Sequence, residues 1–121
     1  QTMTTPGVIA AMLCALEVAP GDRVLEIGTG TGYVTALLLK MGASVHSVER
    51  YATLAEGASA RLGVAGLIEN VVLEVGDGLA DTDGGERFPR ILVNGSVPSL
   101  APALTSRLAP GGRLVAALSG D

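Results

Sequence analysis

The stretch RVLEIGTGTGYVTALL, Arg23 to Leu38, limits the fold more than any other part of the chain. An apolar run ends at Ile27, glycines follow at 28, 30 and 32, and apolar residues then return at helical spacing. Glycine loses more backbone freedom on folding than any other residue, so a strand-to-helix turn of this composition has a use beyond turning. After the first strand of a parallel sheet it lies at the carboxyl edge, where open α/β sheets bind ligands. There glycines let the backbone approach a ligand closely, and the helix N-terminus offers free N–H groups.

Around this turn the pattern alternates. Strand-like runs cover Arg23–Ile27, Ser44–Glu49, Val71–Asp77, Arg90–Asn94 and Arg113–Leu118. Three are apolar nearly throughout, as expected for parallel strands covered on both faces. Between them, Val34, Leu37, Leu38 and Met41 repeat at helical spacing, as do Leu54, Ala58 and Leu62, and Leu100, Leu104 and Leu108. A helix from about Pro6 to Val18 puts Ile9, Leu13 and Leu16 on one stripe, with Pro6 suited to its first turn. Two similar turns, APGDRV and APGGRL, each end a helix, reverse through Pro-Gly and launch a strand. The reading is α/β: a doubly wound, mostly parallel sheet of about five strands with helices on both faces, Rossmann-like. The 121 residues make one domain, with 1–20 as lead-in and first helix and 21–121 as the core. Gln1 at one end and RLVAAL near the other suggest a piece of a longer chain. The fifth strand is then an exposed edge, open to self-association.

Composition narrows the function. Net charge is −4 and no Lys/Arg cluster stands out, which argues against nucleic acid as a partner. No apolar run reaches the roughly 20 residues that span a bilayer, and no leader peptide is apparent, so the expected setting is cytoplasmic. The single cysteine, Cys14, reads as a small buried hydrophobe in a reducing compartment. His46 reads as a packing or surface residue. No His/Cys/Asp cluster has ligand spacing, so no metal is expected.

Acidic residues then point to a cofactor. Glu49 closes the second strand, where a carboxylate can accept both ribose hydroxyls. Asp77 closes the third in the sequence GDG, beside Gly78, placed to meet an adenine amino group. Each acid alone is commonly a solvated strand-end charge; acids ending three successive strands are a more specific signal. The dinucleotide fingerprint is G-x-G-x-x-G, whereas this chain has E-x-G-x-G-x-G with Glu26 just ahead of the loop. A carboxylate there repels a pyrophosphate and suits a ligand with an amino group and a sulfonium. That favours S-adenosylmethionine over NAD. The expected contacts are Glu26, Gly28, Thr29, Gly30, Thr31, Gly32, Glu49, Arg50, Asp77 and Gly78. Tyr33 and Tyr51 either border the adenosine or pack inside.

The segments VLEIGTGTGY, VER, GDG and LAPGGRLV resemble the protein-L-isoaspartate O-methyltransferase family, and QTMTTP resembles its active-site lead-in, usually Q-T-I-S-x-P. The likeness runs from Gln1 to Leu118. It implies transfer of a methyl group from S-adenosylmethionine to the free carboxylate of L-isoaspartyl residues in damaged proteins. The ester then collapses to a succinimide that reopens partly to aspartate. By this resemblance Thr4 stands where the family has a serine and orients the substrate carboxylate, while Thr2 and the Met3 backbone line the methyl end of the cofactor. As a residue, Thr4 also suits a helix N-cap ahead of Pro6. A carboxylate with a pKa near 4 is already ionised at neutral pH, so no general base is needed.

The chain departs from the family in Thr4 itself, in Gly7, in Pro89 of FPRI, and in VNGSVP where VTAAAP is common. The family's terminal antiparallel hairpin, which follows the fifth strand and helps build the substrate site, is absent. Two other readings stay open. One is a related methyltransferase acting on a different carboxylate or small molecule; the other is a non-catalytic nucleotide-binding module. Base methylation is disfavoured, because VNGSV offers no aromatic to stack a flipped base.

Overall fold

Strand β1, Arg23–Ile27, is the middle of a five-stranded sheet ordered β3-β2-β1-β4-β5, with β2 at Ser44–Glu49, β3 at Val71–Val75, β4 at Phe88–Val97 and β5 at Leu108–Leu118. This computed structural model describes residues 5–77, 86–97 and 102–118. Every strand pairing is parallel. The chain winds outward from β1 through β2 to β3, then crosses back to β4 on the other side of β1. The order therefore reverses between β1 and β4, which is where such sheets open a ligand crevice.

Four helices, α1 Pro6–Leu16, α2 Tyr33–Lys40, α3 Ala52–Val64 and α4 Pro102–Ser106, accompany the sheet. Side chains alternate across the strands, so each strand feeds two layers. Val24, Val45 and Leu92 pack with Met12, Leu16, Leu38 and Leu62 from α1, α2 and α3. Leu25, Ile27, Val48, Ile91 and Val93 form the other layer with Phe88 and Leu104 of α4.

Helix α1 is capped by Thr5, whose Oγ1 accepts the Val8 N–H at 3.3 Å. Proline takes the first helical position, which puts the cap one residue before it, on Thr5 rather than on Thr4. The helix stops at Leu16, short of the predicted Val18, because Glu17 turns left-handed at φ 54° and sends its N–H back to the Leu13 carbonyl. Cys14 is exposed, contrary to the sequence reading. It lies on the opposite side of α1 from buried Met12 and Leu16.

Two strands differ from expectation. At the sheet edge β3 has Val72 and Val75 exposed, so it is not covered on both faces, and it ends at Val75 with Asp77 beyond it. Helix α4 closes at Ser106, and Leu108, expected on its stripe, begins β5. The Arg107 carbonyl accepts the Phe88 N–H at 2.8 Å, which starts the β4–β5 pairing early. The segment APGG is consequently a bulge inside β5, since Phe88 pairs with Leu108 but Arg90 already pairs with Arg113. Gly112 makes this possible: a Cβ there would lie 2.7 Å from the Pro89 carbonyl oxygen. The other turn, APGD, behaves as read, with Asp22 Oδ2 accepting the Ala19 N–H at 2.9 Å.

At the amino end of the strands, Arg23 and Arg107 place guanidinium groups 5.1 and 5.6 Å from the ring centroid of buried Phe88. His46 meets the same ring edge-on at 6.0 Å and lies 2.7 Å from a Glu74 carboxylate oxygen, the packing and surface role read from the sequence. Among the described residues no helix is long and apolar enough to cross a membrane.

Candidate cofactor site

Toward the carboxyl edge, the face that carries α1 to α3 turns polar. Along each strand the residue after the next apolar one shares its face, so Val24 is followed by Glu26, Val45 by Ser47 and Glu49, and Leu92 by Asn94. Glu26 is fully buried. Its Oε1 accepts the hydroxyls of Thr35 at 2.5 Å and Ser47 at 2.7 Å, and its Oε2 accepts the Asn94 amide at 2.6 Å. Thr29, also buried, contacts the Ser47 hydroxyl at 2.5 Å and extends the network into the glycine turn. Burial pushes the Glu26 carboxyl up to about 7, with the neighbouring Glu49 charge adding to the rise and the three side-chain hydrogen bonds opposing it. Glu26 thus sits within the fold, under the loop, and acts on it through these partners.

The glycines divide by role. Gly28, Gly30 and Gly32 have φ of 93°, 55° and 89°, a left-handed backbone that side chains rarely adopt. Gly28 donates to the Val48 carbonyl at 2.7 Å, and a Cβ there would lie 3.3 Å from the Asn94 carbonyl oxygen. Gly32 starts α2 at the point where that helix passes α3, and its Cβ would lie 3.1 Å from that of Ala58. Gly30 has nothing within 4 Å of the same position. The outer two are required by packing; the middle one faces open space. Thr31 is exposed, and its carbonyl accepts from Arg61 Nη1 at 3.0 Å.

Glu49 comes to this loop from β2. It is 5% exposed, and its oxygens each hold one backbone amide: Oε1 that of Gly30 at 2.8 Å, Oε2 that of Tyr51 at 3.0 Å. A carboxylate oxygen has two acceptor positions, so each keeps one for a further donor. Arg50 and Asp77 are exposed and 3.7 Å apart, and the Gly76 N–H bonds the Glu49 carbonyl at 2.9 Å, drawing the end of β3 to the same rim. Tyr33 and Tyr51 are 57% and 51% exposed, which answers the sequence alternative of interior packing in the negative. Thr2, Met3, Thr4 and Gly78 lie outside the described residues. Thr35, Ser47, Asn94 and Arg61 were not legible as site residues; a hydroxyl in an apolar run, Ser47 in SVHSVE, is the one hint. Among the described residues no cluster of His, Cys, Asp and Glu could hold a metal ion.

A parallel sheet of this order, with a glycine turn after β1 and an acid closing β2, defines a Rossmann-like domain of the methyltransferase class. The sequence profile of the protein-L-isoaspartate(D-aspartate) O-methyltransferase family matches residues 1–120. A protein-L-isoaspartate O-methyltransferase of Methylorubrum populi is 47% identical over 115 residues, covering 95% of this chain and 53% of the relative. One from Anaeromyxobacter dehalogenans is also 47% identical over 115 residues, covering 95% and 55%. A solved protein-L-isoaspartate O-methyltransferase superposes with a TM-score of 0.85 at 30% identity, over 98% of this chain and 38% of that one. In fold alone, a Plasmodium falciparum protein crystallised with S-adenosyl-L-homocysteine matches at TM-score 0.87 and 22% identity, over 100% and 63% of the two chains. The chain belongs to the protein-L-isoaspartate(D-aspartate) O-methyltransferase family. It spans about half the length of the curated relatives it matches.

Proposed function

We propose that this chain is the cofactor-binding part of an enzyme that methylates the free carboxylate of L-isoaspartyl residues in damaged proteins. Family membership supports this reading, and the observation that carries it is the Glu49–Gly30 pair: a buried carboxylate already oriented by two amides, beside a glycine whose outer side is open. When bound, S-adenosylmethionine supplies a methyl group on a positively charged sulfur. Glu49 offers its two remaining acceptor positions to the ribose hydroxyls. The turn Gly28–Gly32, with Thr29 and Thr31, lets the backbone approach the ligand closely. Buried Glu26 favours a cation above the loop, Asp77 with Gly78 and Arg50 frames the adenine, and Tyr33 and Tyr51 flank it.

Thr4 orients the substrate carboxylate by its hydroxyl, with Thr2 and Met3 lining the methyl end. Capping no longer competes for Thr4, since Thr5 caps α1. The substrate oxygen is ionised at neutral pH, so the chain has to align and shield it rather than deprotonate it. The setting is cytoplasmic, no metal takes part, and β5, an edge strand among the described residues, is a surface for self-association that light scattering would reveal.

Calorimetry with S-adenosylhomocysteine beside NAD tests the cofactor part of this reading. Binding of the first and not the second is expected; the reverse would return the site to the dinucleotide class.

A further inference from the structure

Asn94 ends an apolar run on β4, directly across the reversal point from β1. Its Nδ2 donates twice, to buried Glu26 Oε2 at 2.6 Å and to the Gly28 carbonyl at 3.0 Å. The two acceptors lie on either side of the first bend of the glycine turn. The backbones are in contact here as well, with the Asn94 carbonyl oxygen 3.3 Å from where a Gly28 Cβ would be. Thr35 and Ser47 both serve Oε1, so Asn94 is the side chain that fixes the second oxygen of Glu26. An amide is the group that fits, because it presents two N–H donors from one nitrogen to one charged and one neutral acceptor. VNGSVP differs at this residue from the VTAAAP common in the family, where a threonine hydroxyl would have a single donor to give.

We propose that Asn94 is a positioning residue for the cofactor: by tying Glu26 to the Gly28 carbonyl, it holds the glycine turn in the shape that receives S-adenosylmethionine. This rests on the cofactor reading above. The residue touches no reacting atom. It acts through the turn and through the charge of Glu26, whose surroundings are Thr35 from α2, Ser47 from β2 and Asn94 from β4, with Glu49 on β2 as its charged neighbour.

The test is S-adenosylhomocysteine affinity at pH 6 and pH 8 for the intact protein carrying this sequence, for Asn94→Ala and for Asn94→Asp. Asn94→Ala should weaken binding by roughly ten- to a hundredfold at pH 7, the range for losing a hydrogen bond to a buried charge. Asn94→Asp keeps the shape but sets a second carboxylate against Glu26. It should bind poorly at pH 8 and better at pH 6, where the pair holds one shared proton and regains a donor. The unaltered protein should bind as well or better at pH 8, because its Glu26 is then ionised. A purely structural Asn94 predicts lower melting temperatures with unchanged affinity per folded molecule and parallel pH profiles, and that result overturns the proposal. Should Asn94→Asp not fold, the affinity of Asn94→Ala decides alone. Failure of the unaltered protein to bind would overturn the cofactor reading itself.

Discussion

Glu26 is the residue on which stability and binding pull in opposite directions. Its carboxyl is raised from an ordinary 4.5 to about 7 by burial. Between those values the folded chain holds a proton that the unfolded chain has lost, so its contribution to stability falls as pH rises through that window. The loss is on the order of 3 kcal/mol by pH 8. Glu26→Gln removes this titration. Melting curves should therefore show the variant gaining on the parent between pH 5 and pH 8, while its S-adenosylhomocysteine affinity at pH 8 falls; a constant difference in melting temperature would contradict the assignment. Glu49 behaves otherwise. It holds the Gly30 and Tyr51 amides in a nearly buried position, so Glu49→Ala should cost about 1–3 kcal/mol of stability even without ligand. Cofactor affinity should fall further, by about 2–4 kcal/mol, as paired charge-assisted bonds are lost. Both acids were visible in the sequence as strand-end charges. That one is interior and the other at the rim was not, because the difference depends on Thr35, Ser47 and Asn94 converging from three separate elements.

Among the elements, the strand-glycine-helix unit was the most legible, since β1 and β2 fall on the predicted residues and α2 within one of them. The β4–β5 pair was the least. There a Pro-Gly sequence that works as a turn before β1 is absorbed into a strand, because the early Phe88–Arg107 bond draws β5 alongside β4 before the proline. No local rule encodes that bond. The bulge makes two neighbouring glycines unequal. Gly112→Ala pushes a methyl against the Pro89 carbonyl at 2.7 Å and should destabilise by about 1–3 kcal/mol. Gly111→Ala meets open space but keeps φ at 76°, and should cost about 1 kcal/mol. Chemical denaturation of both variants checks the order; a larger loss at Gly111 would mean the strands are not in this register. The same contrast applies in the loop. Gly28→Ala strikes the Asn94 backbone, whereas Gly30→Val meets nothing in the protein and should spoil ligand binding more than folding.

As a whole molecule, the chain is a sheet whose apolar layers give way to polar residues at a single edge, and the family assignment converges on that edge from independent matches of sequence and fold. Half of a relative's length supplies the glycine turn, Glu49 and the Asn94 tie. The acceptor is what distinguishes a repair enzyme from other methyltransferases of this fold, and it decides the central claim. Labelled S-adenosylmethionine should be given to the intact protein carrying this sequence with an isoaspartyl peptide and, separately, its aspartyl twin. Label should pass to the isoaspartyl peptide alone, in a base-labile ester. Equal labelling of the twin, or methyl transfer only to a small-molecule acceptor, would contradict the account.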